Sequence, residues 1–231
     1  MTIEPFVFDF LTDLEQNNNR DWFQENKKQY DVVLKNVQDF VTQLISGISV
    51  FDTSVSSLSA KDCIFRIYKD VRFSHDKTPY KTHFGAYIAQ GGRKGGNAGY
   101  YIHIQDNSSF LVGGLWVIDP SILKKVREEI YYAPEELVAI LENNEFKSTF
   151  GSLSEEYNLK KAPKNYPVDF HHIHLLKYRH YCVEKAVSNV EVTAEDFFEK
   201  CLQILEISAP LVKYMNKVVF LNKCSIMPIF K

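Results

Sequence analysis

The sequence CIFRIYKDVRFSHDKTPYKTHFGAY, residues 63–87, contains two candidate β-strands around a charged turn. Successive side chains of a strand point to opposite faces of a sheet. In the first half of this stretch, four apolar side chains with Lys69 among them fall on one face. Four polar side chains fall on the other face: Arg66, Tyr68, Asp70 and Arg72. The pattern predicts a half-buried strand, 64–73, whose polar face forms the functional surface together with the following turn.

The second strand of this stretch is predicted at residues 83–90, and three further strands are predicted at residues 99–105, 110–116 and 176–183. The glycine-rich segment GGRKGGNAG is interpreted as a hairpin connection, because β-type sequence follows it where a nucleotide-binding loop would need a helix. Parallel strands would need a helix between each pair, and residues 73–110 leave no room for one. The sheet is therefore expected to be antiparallel.

Helical periodicity is found on both sides of the strands. Apolar residues recur at helical spacing from Val7 to Leu14 and from Tyr30 to Ile48, with Asn19 or Asp21 as the cap, and residues 46–59 are interpreted as the loop that follows. A long C-terminal helix with a kink at Pro210 is predicted to reach about residue 220. We therefore expect one α+β domain over residues 1–231, with an antiparallel sheet of about five strands and helices from both termini packed on one face.

Charge is distributed unevenly along the 231 residues. The formal net charge is −2, so no overall positive field draws the protein to nucleic acid or lipid. Residues 1–60 hold nine acids against four Lys and Arg, whereas residues 61–94 hold eight Lys and Arg against three acids. An anion is therefore expected to be attracted to the central segment.

The cysteines and the first residues bear on localisation. The four cysteines, Cys63, Cys182, Cys201 and Cys224, are widely spaced and include no CxxC pair. Acidic residues stand near the N-terminus where a signal peptide would have basic ones, and no apolar run approaches ~18 residues. We expect an unprocessed cytoplasmic protein that does not interact with membranes.

The polar face has two interpretations. In the first, it is the floor of a pocket for a small phosphorylated or carboxylated anion, because guanidinium groups bind such anions in two-point geometry. In the second, the arginines pair with Asp70 and with helix carboxylates as a structural network. The predicted ligand-binding residues are Arg66, Tyr68, Arg72, Lys77, Tyr80, Lys81, Tyr101, His103 and Arg179, with Gly85 and Gly113 opening space among them.

The sequence leaves open whether the protein is an enzyme. Asp70, Asp76 and His83 are the candidate catalytic residues, because a carboxylate or an imidazole can act as a general base. The sequence shows no nucleophile motif and indicates no cofactor. His171, His172 and His174 are possible metal ligands by type, but such a run is more typical of a surface segment, and no metal site is predicted.

Two alternatives use the same basic face. Tyrosines beside Arg and Lys can stack on bases, so the protein could be a module that binds single-stranded nucleic acid, although the acidic N-terminal third argues against it. The face could also meet an acidic partner as an interaction scaffold. The sequence does not define the oligomeric state.

Four motifs carry a resemblance to a known family. They are NNNRDWFQENKKQY (17–30), FRIYKDVRFSHDKTPYKTHFGAY (65–87), GGLWVIDP (113–120) and LKKAPKNYP (159–167). In this order they resemble a widespread family of bacterial and fungal proteins known as a conserved hypothetical domain of unknown function. The resemblance implies a single domain and no particular activity. Lys69 stands where that family often has arginine, and Asn165 where it often has glycine.

Overall fold

The computed structural model of the protein describes residues 2–72, 75–116 and 118–224, with side chains up to residue 219. Phe73, the last residue of the predicted first strand, lies outside these ranges. The predicted α+β class is confirmed. The helices are α1 (Pro5–Gln16), α2 (Arg20–Glu25), α3 (Lys27–Phe51), α4 (Ala60–Cys63), α5 (Pro120–Tyr132), α6 (Glu135–Glu142), α7 (Asn144–Phe150), α8 (Ile173–Leu176), α9 (Asn189–Val192) and α10 (Phe197–Cys224).

Four strands form one antiparallel sheet in the order β1-β2-β3-β4. They are β1 (Phe84–Ala89), β2 (Gly99–Ile104), β3 (Ser109–Leu115) and β4 (Tyr181–Val187). The glycine-rich segment lies between the neighbouring strands β1 and β2, in agreement with a hairpin connection. No helix in the described part of the chain is long and apolar enough to cross a membrane.

The predicted first strand, residues 64–73, is not a regular strand. Two isolated antiparallel bridges link it to β1 and to the segment before β1: Ile64 pairs with Ala86, and Tyr68 pairs with Tyr80. The chain advances four residues from Ile64 to Tyr68, but six residues from Tyr80 to Ala86. The two extra residues form a bulge. A bulge interrupts the ladder and bends the edge, which explains why the sheet has four strands and not about five.

The last strand is shifted from its predicted position at 176–183. Arg127 donates hydrogen bonds from Nε to the carbonyl of Leu176 at 2.8 Å and from Nη2 to the carbonyl of Tyr178 at 3.2 Å. These carbonyls are therefore satisfied outside any ladder, and β4 begins only at Tyr181.

The N-terminal helices also differ from the prediction in detail. Asn19 caps α2 by accepting a hydrogen bond from the Trp22 amide at 3.0 Å, as predicted. The expected continuous helix is interrupted at Asn26, and α3 extends into the predicted loop to Phe51. The hydroxyl of Ser49 donates to the carbonyl of Ile45 at 2.7 Å, so this polar residue is accommodated inside the helix.

The chain divides into two compact units. The first comprises Met1–Gly96, Tyr100–Leu111 and Ala186–Leu205. Its core lies between α3 and one face of β1 and β2, where apolar side chains line a small cavity: Ile3, Val37, Phe40, Val41, Phe84, Ala86, Ile102 and Ile104. The first turn of α10 joins this core, because Phe197 stacks on Phe40 with ring centroids 5.6 Å apart.

The second unit comprises Asn97–Gly99, Val112–Lys185 and Glu206–Lys231. The side chain of Asn216 in α10 accepts from the amide of Ala98 at 2.8 Å and donates to its carbonyl at 3.1 Å. Asn165 has φ of +74°, in the left-handed region. Asparagine adopts this conformation more readily than most residues, so the predicted departure from glycine is accommodated there.

Candidate functional site

Polar and aromatic side chains gather on the face of β1 and β2 opposite the apolar core of the first unit. Alternation along β2 places Tyr101 and His103 on this face, while Ile102 and Ile104 point to the core. We use the term Tyr101 cluster for the following residues: Phe65, Arg66, Lys81, His83, Tyr101, His103, Gln105 and Phe110.

A chain of hydrogen bonds runs along β2 through the Tyr101 cluster. The Tyr101 hydroxyl lies 2.8 Å from Nδ1 of His103, and Nε2 of His103 lies 2.9 Å from Oε1 of Gln105. Burial raises the pKa of Tyr101 to about 12. It also lowers the pKa of His103, against the opposing hydrogen bond to Gln105. The tyrosine is therefore protonated and the histidine neutral at pH 7.

His103 is enclosed by two further rings. The His83 ring lies against it with centroids 4.3 Å apart, and the Phe110 ring stacks on it at 4.5 Å and 10°. Burial lowers the pKa of His83 to about 4, with smaller contributions from His103, Lys81 and Lys69. Since both faces and both nitrogens of His103 are occupied, its ring is held in one orientation.

Gly85 on β1 makes room for the Tyr101 hydroxyl. A Cβ atom at position 85 would lie 2.5 Å from that oxygen, closer than real Cβ contacts. This agrees with the prediction that Gly85 opens space among large polar side chains. The observed use of the space is to admit the end of Tyr101.

Lys81 of the Tyr101 cluster lies beside a partly exposed aromatic ring. Nζ of Lys81 lies 5.4 Å from the centroid of Phe65, which is 36% exposed. Burial first, and then the charge of Arg66, lowers the pKa of Lys81. Within the described residues, neither Arg66 nor Lys81 forms an ion pair or a side-chain hydrogen bond with an acidic residue. The charges of Arg66 and Lys81 thus act on each other, and neither cation has an ion-pair partner among the described residues.

We use the term 69–78 turn for the described residues 69–72 and 75–78, in which oppositely charged side chains, by contrast, pair with one another. Arg72 forms a two-point contact with Asp70, with Nε at 2.9 Å from Oδ1 and Nη2 at 2.6 Å from Oδ2. Lys69 reaches Asp76 and Thr78, both at 2.7 Å. For Arg72 the structure therefore supports the network interpretation and not the pocket.

The carboxyl groups of the 69–78 turn are ionised well below neutral pH. Hydrogen bonds from Arg72 hold the pKa of Asp70 at about 2. Hydrogen bonds from Lys69 and Thr78 hold the pKa of Asp76 well below its usual range. A general base works best with a pKa near the operating pH, so neither aspartate is suited to that role.

The remaining lysine and tyrosines of the stretch divide between surface and core. Nζ of Lys77 donates to the carbonyl of Val71 at 3.0 Å. Tyr80 is 2% exposed and stacks on Phe23 at 4.0 Å and 15°, so we leave it out of the proposed ligand contacts. Tyr68 is 46% exposed and lies 5.3 Å from Tyr80, at the rim of the same aromatic group.

Arg179 and the histidine run belong to the second unit. Arg179 is exposed, and the neighbouring His180 stacks on Trp116 at 4.4 Å and 13°. The ring centroids of His171 and His172 are 4.6 Å apart. Among the residues that the structure describes, no three His, Cys, Asp or Glu side chains are arranged to hold a metal ion.

Three members of the Tyr101 cluster were not predicted. Gln105 has the same parity as Tyr101 and His103, so continuing the alternation by one step would have found it. Phe65 was expected on the apolar face, but the bulge in the edge pairing leaves its ring partly exposed. Phe110 faces His103 across the β2 and β3 pair, which alternation alone does not indicate.

Comparison with known proteins shows the family of the chain. No curated protein and no solved structure matches it. The model of a family described as a conserved hypothetical protein (DUF2461) matches residues 6–214. Because this match covers nearly the whole chain and agrees with the resemblance of the sequence motifs, the protein belongs to the conserved hypothetical family DUF2461.

Proposed function

We propose that the protein binds a small phosphorylated or carboxylated anion at the Tyr101 cluster. The observation that carries this proposal is the position of Lys81, whose Nζ lies 5.4 Å from the partly exposed Phe65 ring and forms no ion pair among the described residues. The charge of Arg66 contributes to the lowered pKa of Lys81, so a second cation acts on the same site. Placing like charges together costs free energy, and a bound anion removes that cost while accepting charge-assisted hydrogen bonds.

The surroundings of the pair favour a small anion. Asp70 is near enough for Arg66 to contribute to its lowered pKa, but its oxygens are occupied by Arg72. Nζ of Lys81 lies 5.4 Å from the centroid of the partly exposed Phe65 ring, and the Tyr101 ring lies 6.3 Å from the same centroid. A ligand resting on Phe65 can therefore meet a cation and a polar group together.

Cytoplasmic localisation is part of the same proposal. Cys63, Cys182 and Cys201 are buried free thiols, and Cys63 and Cys182 have a pKa raised by burial to about 11 and about 12. Buried thiols without disulfides are typical of a reducing compartment.

Titration calorimetry at low ionic strength tests the proposal, with inorganic phosphate, sugar phosphates and organic acids as ligands. Arg66→Ala and Lys81→Ala are each expected to weaken binding about tenfold, because a hydrogen bond to a charged group contributes about 1.5–3 kcal/mol. Lys35→Ala is the matched control. It removes one positive charge from an exposed position on α3, where Lys35 pairs with Asp39.

Two outcomes would contradict the proposal. One is that no anion in the panel binds the wild type at millimolar concentration. The other is that Lys35→Ala weakens binding as much as Arg66→Ala, which would indicate a general charge effect. Tight binding of a single-stranded oligonucleotide, falling steeply with salt, would favour the nucleic-acid alternative instead.

A further inference from the structure

The side chain of Gln105 determines the direction of the hydrogen bonds that join Tyr101, His103 and Gln105. Oε1 of Gln105 is an amide oxygen and can only accept, so Nε2 of His103 carries the proton that fills this 2.9 Å contact. A neutral imidazole has one proton, and burial keeps His103 neutral. Nδ1 is therefore an acceptor, and the Tyr101 hydroxyl donates to it at 2.8 Å.

This direction determines what Tyr101 can offer to a ligand. A phenolic hydroxyl has one proton and two lone pairs. The proton is committed to His103, so the oxygen can only accept further hydrogen bonds. His103 itself is closed to a ligand, because both nitrogens have partners and both ring faces are covered by His83 and Phe110.

We propose that the bound anion carries a hydroxyl group close to its charged group, and that Tyr101 accepts a hydrogen bond from that hydroxyl. This inference rests on the proposed function, in which Arg66 and Lys81 hold the charge. Lys81 and Tyr101 border the same ring, Phe65, at 5.4 Å from Nζ and 6.3 Å between centroids. The ligand class is a hydroxycarboxylate or a hydroxyalkyl phosphate. Tyr101 determines specificity, and His103 with Gln105 positions it.

Because the Tyr101 oxygen can only accept hydrogen bonds, the site also disfavours certain ligands. A ligand without the hydroxyl offers no donor to the Tyr101 oxygen in the complex, which costs free energy. A ligand with a hydrogen-bond acceptor in place of the hydroxyl faces the Tyr101 oxygen, which is also an acceptor, and is therefore disfavoured. The hydroxylated member of a matched pair should therefore bind about tenfold more tightly than its deoxy counterpart.

Titration calorimetry with two matched pairs tests the inference. The pairs are lactate with propionate, and glycerol 3-phosphate with propyl phosphate, so that carboxylate and phosphate sources are distinguished. In the wild type one pair is expected to show the tenfold preference for its hydroxylated member. Tyr101→Phe should reduce that preference to within about twofold and should tighten binding of the deoxy member, because the unsatisfied oxygen has been removed. Tyr132→Phe, which alters a tyrosine that is 80% exposed, is the matched control and should keep the preference.

Nitrogen-15 NMR of the His103 ring gives a second measurement that does not depend on the folding of a variant. The wild type should show Nε2 protonated and Nδ1 unprotonated. A protonated Nδ1 overturns the inference, because Tyr101 would then be free to donate to the ligand.

The binding outcomes separate this inference from the proposed function. If inorganic phosphate binds and Arg66→Ala weakens it, but neither pair shows a preference in the wild type, the inference fails and the proposed function stands. A preference that survives in Tyr101→Phe also overturns the inference. If no anion binds the wild type, both fail.

Discussion

Two neighbouring parts of the stretch 63–87 use the same residue types in opposite ways. In the 69–78 turn, Arg72 and Lys69 each have a carboxylate partner, and Lys77 donates to the carbonyl of Val71. In the Tyr101 cluster, Arg66 and Lys81 have no carboxylate partner among the described residues. Charge content alone therefore does not indicate a binding site. What matters is which charges the fold leaves uncompensated.

The substitution expected to lower stability most is at Tyr80, the buried tyrosine that follows the 69–78 turn. Tyr80→Ala should lower the free energy of unfolding by about 3–5 kcal/mol, because it removes a fully buried ring stacked on Phe23. The backbone of Tyr80 also exchanges two hydrogen bonds of 3.0 Å with the Asn18 side chain. Urea denaturation measures the change. Tyr68→Ala is the control and should cost less than about 1 kcal/mol, because that ring is half-exposed. Equal losses would contradict a structural role for Tyr80.

The next effect tests the close fit inside the Tyr101 cluster. Gly85→Ala should cost about 1–3 kcal/mol, because its Cβ would lie 2.5 Å from the Tyr101 hydroxyl oxygen. The same substitution in a Tyr101→Phe background should cost less, since the oxygen has been removed. A double-mutant cycle by urea denaturation measures this coupling. Additive costs would show that the clash involves something other than the hydroxyl.

The sequence predicts the elements of the site better than their contacts. Alternation in the strands at 83–90 and 99–105 placed Tyr101 and His103 on one face, and Asn19 was found as a cap because capping depends on adjacent residues. The prediction of a regular strand at residues 64–73 was wrong, because a bulge depends on how two separate segments fit together. Whether Arg66 or Arg72 finds a carboxylate could not be predicted for the same reason.

The pH dependence of stability separates the two regions. The pKa of His83 falls from its ordinary value near 6.5 to about 4 on folding, so the unfolded chain takes up the proton first as the pH falls. The contribution of His83 should therefore reduce stability between pH 6.5 and pH 4, by about 1–2 kcal/mol after allowance for partial exposure, with no further loss from this group below pH 4. His103, also lowered, acts in the same direction.

The 69–78 turn affects stability at a lower pH than His83 does. The pKa of Asp70 falls from 3.8 to about 2 on folding, so its contribution is present above the unfolded pKa and is lost as the pH falls through the folded value. Thermal denaturation at a series of pH values measures both windows. His83→Gln should flatten the profile between pH 6.5 and 4, Asp70→Asn only below pH 4, and the exposed His171→Gln should serve as the control. A profile that His83→Gln leaves unchanged would contradict the burial of a neutral His83.

Arg72→Ala should change stability and binding least of all these substitutions. Arg72 carries the same guanidinium as Arg66 and lies in the same stretch, but its side chain is 75% exposed and paired with Asp70. Exposed ion pairs contribute little, so the unfolding midpoint should not change measurably. The affinity for inorganic phosphate should change less than about twofold, while Arg66→Ala weakens it about tenfold. If Arg72→Ala weakens binding as much as Arg66→Ala, the pair with Asp70 opens when the ligand arrives. The turn would then belong to the site, and compensation in the free protein would no longer distinguish the two regions.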